Sequence, residues 1–102
     1  MTTAIDIQLD EKIIIDNLEP KKYNIIFLND NKTPMDWVVE TLMSTYRHSQ
    51  ETAEKLTLQI HSEGSACVGT YVYEIAEQKS IETINSSRSK GFPLQVKLEQ
   101  EA

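Results

Sequence analysis

Few residues in this chain have ligating or nucleophilic chemistry. His48, His61 and Cys67 are its only soft or borderline metal ligands. Their spacings match no zinc pattern, and structural zinc takes four Cys and His ligands, so no metal site is expected. A Cys–His dyad would need a third group to orient the base. Cys67 lies in a strand pattern with no nucleophile signature around it and reads as a small core thiol. The three glycines, Gly64, Gly69 and Gly91, are too widely spaced for a phosphate-cradling loop. No catalytic residue and no cofactor are therefore expected. What remains is the polar run Asn29-Asp30-Asn31, directly ahead of a capped helix, with His61 further on. Asn and Asp turn chains in many proteins, and a His near a helix end can serve the macrodipole.

The elements that must position these residues follow from patterning. Tyr23–Leu28 (YNIIFL) is β-branched and aromatic and reads as a strand. Thr33-Pro34-Met35-Asp36 reads as a helix start, with Thr33 as N-cap, Pro34 first in the helix and Asp36 closing a capping box. Val38, Val39, Leu42, Met43 and Tyr46 then recur at helical spacing to about Arg47. Ser49 starts a second helix, whose inner stripe is Ala53, Leu56, Thr57 and Ile60. His61 sits at its end and Gly64 is its C-cap. Ala66–Val72 is a second strand, in which Gly69 marks a bulge or a close approach. Glu74 to about Lys90 is a third helix with a weak start, because Val72 is a poor N-cap, and it is stopped by Gly91-Phe92-Pro93. Leu94–Leu98 (LQVKL) alternates and forms a third strand. The order β-α-α-β-α-β predicts an α+β two-layer sandwich, a three-stranded antiparallel sheet packed against three helices.

Composition bounds the partners. The chain has 102 residues and a net charge of −6. Long-range attraction to phosphate needs the opposite sign, so nucleic acid is not an expected partner. Residues 1–20 hold five acids and one base, and the remaining 82 hold eleven acids and nine bases. This predicts a flexible acidic N-terminal extension over 1–20, with Ile13-Ile14-Ile15 able to form a short strand or helix turn, and one folded domain over 21–102. A single cysteine permits no internal disulfide, which suits a reducing cytoplasm. No apolar run approaches the roughly 20 residues a membrane helix needs, so no membrane association is expected. No large exposed apolar stripe asks for a dimer, and a monomer is expected.

The run from Tyr23 to Val39 (YNIIFLNDNKTPMDWVV) resembles the signature of the ClpS family, a strand ending in Asn-Asp-Asp that leads to Thr-Pro-Met and an apolar helix. Leu58-Gln59-Ile60-His61 is similar to that family's apolar-x-apolar-His helix end. Gly64, Glu74-Ile75-Ala76-Glu77, Lys79 and Phe92-Pro93-Leu94 fall at its spacings. The resemblance spans about four fifths of the chain and is specific through the order and separation of its pieces. It implies an adaptor that captures proteins by a bulky apolar N-terminal residue (an N-degron led by Leu, Phe, Tyr or Trp) and delivers them to a Clp AAA+ protease. The alternative is a module that binds the unfoldase and changes its substrate choice without reading N-termini.

By the same resemblance, Asn29, Asp30 and His61 receive the substrate α-amino group. The chemistry agrees, since an ammonium has three donors and these side chains offer acceptors. Thr33, Met35, Val38, Thr57, Ile60 and Leu94 would line an apolar pocket, in which burying a Leu or Phe side chain contributes roughly 1.5–3 kcal/mol. Met35 would exclude β-branched first residues. Asn31 stands where the family commonly has a second Asp and would meet the substrate's second residue with less charge. Thr57 stands where relatives often have Met, so the pocket should be wider and slightly more polar, favouring Tyr or Trp over Leu. Glu74 and Lys79 would contact the N-terminal domain of a ClpA- or ClpC-type unfoldase.

Overall fold

The computed structural model describes residues 20–102. Of the predicted acidic extension over residues 1–20, all but Pro20 lies outside the described residues.

Strand β1, Lys22–Leu28, is central. Its Ile25 and Phe27 are fully buried, as expected for successive residues on one face of a pleated strand. Strands β2 (Ser65–Val72) and β3 (Gln95–Gln100) flank it, and both pairings are antiparallel. Sheet order is β2-β1-β3. Three helices, α1 (Met35–Ser44), α2 (Gln50–Glu63) and α3 (Tyr73–Ser89), complete the two-layer α+β arrangement in the predicted order. The core gathers Ile25, Phe27, Val38, Leu42, Tyr46, Ala53, Ile60, Ala66, Val68, Ala76 and Leu94. Among the described residues, no helix is long and apolar enough to cross a membrane.

The register shifts between Ile25 and Ile26, which pair with Gly69 and Cys67, so Val68 is an extra residue in β2. Its carbonyl meets His48 Nε2 at 2.5 Å. A carbonyl only accepts, so the imidazole nitrogen donates. The bulge lets Ala66, Val68 and the Tyr71 ring all reach the core side, with Tyr71 folded over Gly69. A Cβ at Gly69 would stand 2.6 Å from that ring. The same alternation corrects the expectation for Cys67. It pairs beside Ile26, on the face opposite Ala66, and its thiol is exposed rather than in the core.

The first helix differs from its prediction at both ends. Pro34, not Thr33, occupies the N-cap, and no side chain caps it. The Thr33 hydroxyl instead donates to Asp30 Oδ2 at 2.7 Å, while Asp36 Oδ1 accepts from the N–H of its neighbour Trp37. The helix ends at Ser44, short of Arg47. Arg47 adopts a left-handed conformation at φ 61°, and His48 N–H donates back to the Leu42 carbonyl at 3.1 Å. A residue other than glycine makes this reversal, so it carries no glycine signal in the sequence. By contrast α2 is capped as its sequence indicates, by Ser49 Oγ accepting from Thr52 N–H and by Gly64 at φ 92°. Buried residues of α3 are small (Ala76, Ser80, Thr83, Ser87), which brings that helix close to the sheet.

Candidate functional site

Site geometry begins at the end of β1. Asn29 N–H donates to the carbonyl of Gly64, the α2 C-cap, at 2.9 Å. That bond holds the Asn29-Asp30-Asn31 turn beside the last turn of α2, where His61 lies. A basin of 380 Å³ results, lined by Asn29, Asp30, Asn31, Lys32, Thr33, Pro34, Met35 and His61. All three predicted amine acceptors border it, together with Asn31, Thr33 and Met35.

Asp30 organises its own loop. Oδ1 accepts from the N–H groups of Lys32 (2.8 Å) and Thr33 (2.7 Å), and Oδ2 accepts from the Thr33 hydroxyl. Partial burial alone would raise its pKa. The bonds from Thr33 and Lys32 and the positive charge of Arg88 outweigh that effect and hold the carboxyl below its ordinary value. A carboxylate has about four lone-pair positions, so Oδ2 keeps acceptor capacity for an incoming donor. The rim therefore offers a fixed, ionised carboxylate with an amide and an imidazole on the same basin.

Not all of the predicted pocket gathers in one cavity. Met35 also borders an adjoining cleft of 180 Å³ with Asp36, Val39, Glu54, Thr57 and Leu58. Val38, Ile60 and Leu94 belong to the packed core and line neither depression. The Thr57 hydroxyl donates to the Ala53 carbonyl at 2.7 Å. Its polarity is therefore taken up by its own helix, and the predicted gain in wall polarity is small. Apolar surface remains exposed at the mouth, where Met35 is 40% and Leu58 59% exposed.

Glu74 lies elsewhere. It lines a depression of 470 Å³ with Pro20, Lys21, Tyr23, Val72 and Tyr73, at the opposite end of β1. The Lys79 ammonium donates to the Thr45 carbonyl at 2.8 Å and stands over the Tyr46 and Tyr71 rings, 5.8 and 5.3 Å from their centroids. Lys79 is thus half-buried, and its charge ties α3 to the end of α1.

One residue near the site was missed from sequence. Arg88 Nη1 donates to the carbonyls of Phe92 (2.8 Å) and Leu94 (2.9 Å). A cationic side chain in a last helical turn, followed by a Gly stop, is a known partner for terminal carbonyls. That signal was present in Arg88 and Gly91.

Comparison with known proteins places these features in a family. The family model described as "ATP-dependent Clp protease adaptor protein ClpS" matches residues 18–97. The ATP-dependent Clp protease adapter protein ClpS of Treponema denticola is 46% identical over 83 residues, covering 81% of this chain and 82% of that protein. Its counterpart from Campylobacter jejuni subsp. jejuni serotype O:23/36 is 43% identical over 83 residues, covering 81% of this chain and 86% of the relative. Among solved structures, that of Agrobacterium tumefaciens ClpS2 bound to L-phenylalaninamide matches with a TM-score of 0.78 at 35% identity, covering 81% of this chain and 100% of that one.

Proposed function

The chain belongs to the ClpS family of Clp protease adaptors, which are not enzymes, and from that premise we propose that it captures proteins through a free α-amino group on a bulky apolar first residue. The observation that carries this reading is the basin itself, where Asn29, Asp30 and His61 converge beside the apolar side chain of Met35. An α-ammonium offers three donors to those acceptors, and its pKa of about 7.7–8.0 keeps it mostly charged at neutral pH. An acetylated terminus or an internal peptide nitrogen lacks those donors. Each acceptor left unpaired then costs roughly 1–3 kcal/mol. The ligand of Agrobacterium tumefaciens ClpS2, L-phenylalaninamide, carries a free amine and an amidated carboxyl on an aromatic residue. That is the chemistry of an N-terminal Phe followed by a peptide bond.

In this reading the first side chain enters at Met35 and Thr57, toward Val38, Ile60 and Leu94. These core residues must part to admit it, and Thr33 helps form the entrance. Asn31 contacts the second residue. Leu, Phe, Tyr and Trp are the first residues received, and Met35 opposes β-branched ones. Cargo passes in the cytoplasm to the N-terminal domain of a ClpA- or ClpC-type unfoldase, which contacts Glu74 and Lys79. Fluorescence anisotropy with a Leu-led peptide and its acetylated twin tests the central step. Tight binding of the free amine alone is expected. Equal binding of the two would overturn the reading and favour a module that acts on the unfoldase without sensing N-termini.

A further inference from the structure

The connection from α3 to β3 carries Leu94, a core residue that lines neither depression and toward which the proposed reading directs the first side chain, and it is fastened chiefly by one side chain. Arg88 Nη1 donates to the carbonyls of Phe92 and Leu94 at 2.8 and 2.9 Å, and to Ser87 Oγ at 3.2 Å. Ser87, fully buried, donates its hydroxyl to the same Phe92 carbonyl at 2.7 Å, and Phe92 N–H returns to the Ser87 carbonyl at 2.9 Å. The Phe92 ring meets Trp37 of α1 edge-on, with centroids 5.5 Å apart. Charge-assisted bonds are the stronger kind, and all three leave from the one Nη1 group, whose two hydrogens are shared among the three acceptors. Among the described residues Arg88 forms no salt bridge. Its charge does act on Asp30 of the amine rim, where it favours the ionised carboxylate.

We propose that Arg88 is a positioning residue for N-terminal recognition, which by gripping the Phe92 and Leu94 carbonyls sets where the Leu94 side chain stands and so which first residues fit. The inference rests on the amine-and-pocket reading above and goes beyond it in joining the α3–β3 turn to the site. A role in stability alone would lower affinity for every first residue by one factor. A role in placing Leu94 changes their ranking, because a small Leu side chain and a large Trp side chain reach Leu94 differently.

The test uses the full chain with Arg88→Met, which keeps most of the stem and removes the donors, and Arg88→Lys, which keeps a charged donor on a shorter side chain with a non-planar head. Anisotropy measures Leu-, Phe- and Trp-led peptides and their acetylated twins, and circular dichroism checks the fold. Arg88→Met should shift the ratio of Leu to Trp affinities by about threefold or more, with Arg88→Lys restoring it only in part. Should Arg88→Met not fold, Arg88→Lys is combined with Leu94→Val. Coupled residues respond non-additively, so the double variant should depart from the product of the single effects by about threefold. An unchanged ratio in a folded Arg88→Met, or strict additivity in the cycle, overturns the assignment of Arg88. Wild type that binds free and acetylated peptides alike overturns the parent reading, and this inference falls with it.

Discussion

Asp30 accepts three hydrogen bonds from its own loop and so is its scaffold, and in the proposed reading it also receives the substrate amine. Its depressed pKa stabilises the folded loop at all pH values above the ordinary carboxylate range. That contribution is lost only as the pH falls through the lower folded value. Between pH 8 and 5.5 Asp30 thus stays ionised, and the peptide amine decides how binding responds. Protonation of the peptide amine strengthens binding as pH falls from 8 toward 7. Affinity for a Leu-led peptide should therefore be higher at pH 7 than at pH 8, as read by anisotropy. A value unchanged between those two pH values would argue against a charged amine as the bound group. Thr57 supplies a second prediction. With its hydroxyl bonded to the Ala53 carbonyl, its effect on the pocket is one of width. Thr57→Met should narrow the wall and shift relative affinity toward Leu and away from Trp. Equal Leu-to-Trp ratios in wild type and variant would show that position 57 does not border the bound side chain.

Each element is held by bonds that reach across to another element. The Val68 bulge leaves one carbonyl of β2 outside the ladder, and His48, just past α1, supplies its donor. His48→Ala should orphan that carbonyl and lower stability by about 1–3 kcal/mol in urea denaturation. It should leave affinity for a free-amine peptide unchanged, because His48 borders no part of the basin. This contact also illustrates what the sequence did not reveal. Elements with local signals were legible: the β-branched run of β1, the Ser49 and Gly64 caps of α2, and the Gly91 stop after α3. The start of α1 was misread by one residue because Asp30 competes for the Thr33 hydroxyl. Its end was misread because Arg47 takes a conformation usually left to glycine. Cys67 was assigned to the core because the phase of β2 depends on a bulge that only pairing with β1 creates. In the site, the Asn29, Asp30 and His61 run was readable through its resemblance to a family signature. The Arg88 grip was overlooked: its cue, a cation in the last turn of α3 ahead of Gly91, was present, but which carbonyls it reaches depends on the turn that follows.

At the scale of the molecule, β1 separates the basin at Asn29–Met35 from the depression beside Glu74, the two sites of the proposed function. Its C-terminal end runs into the proposed amine basin, while its N-terminal residue Lys22 pairs with Val72, next to the start of α3 and Glu74. Seven residues of strand keep them about 20 Å apart. Sites so far apart with no shared partners contribute additively, so an adaptor can hold cargo at one end while docking at the other. Glu74 is exposed and no hydrogen bond or salt bridge of its side chain is seen among the described residues, so it is the clean probe of the proposed docking face. Glu74→Lys should leave the affinity for a Leu-led peptide and the melting temperature unchanged while sharply reducing delivery of a Leu-led protein to a reconstituted Clp protease. Lys79 differs, because its ammonium holds the Thr45 carbonyl and packs on two tyrosine rings. Lys79→Ala should therefore lower the melting temperature as well as delivery, and stability must be measured beside degradation before any loss is assigned to contact with the unfoldase. If Glu74→Lys weakens peptide binding as much as it weakens delivery, the two ends of β1 are coupled and the separation argued from the strand fails. If it changes neither, Glu74 lies outside the docking face.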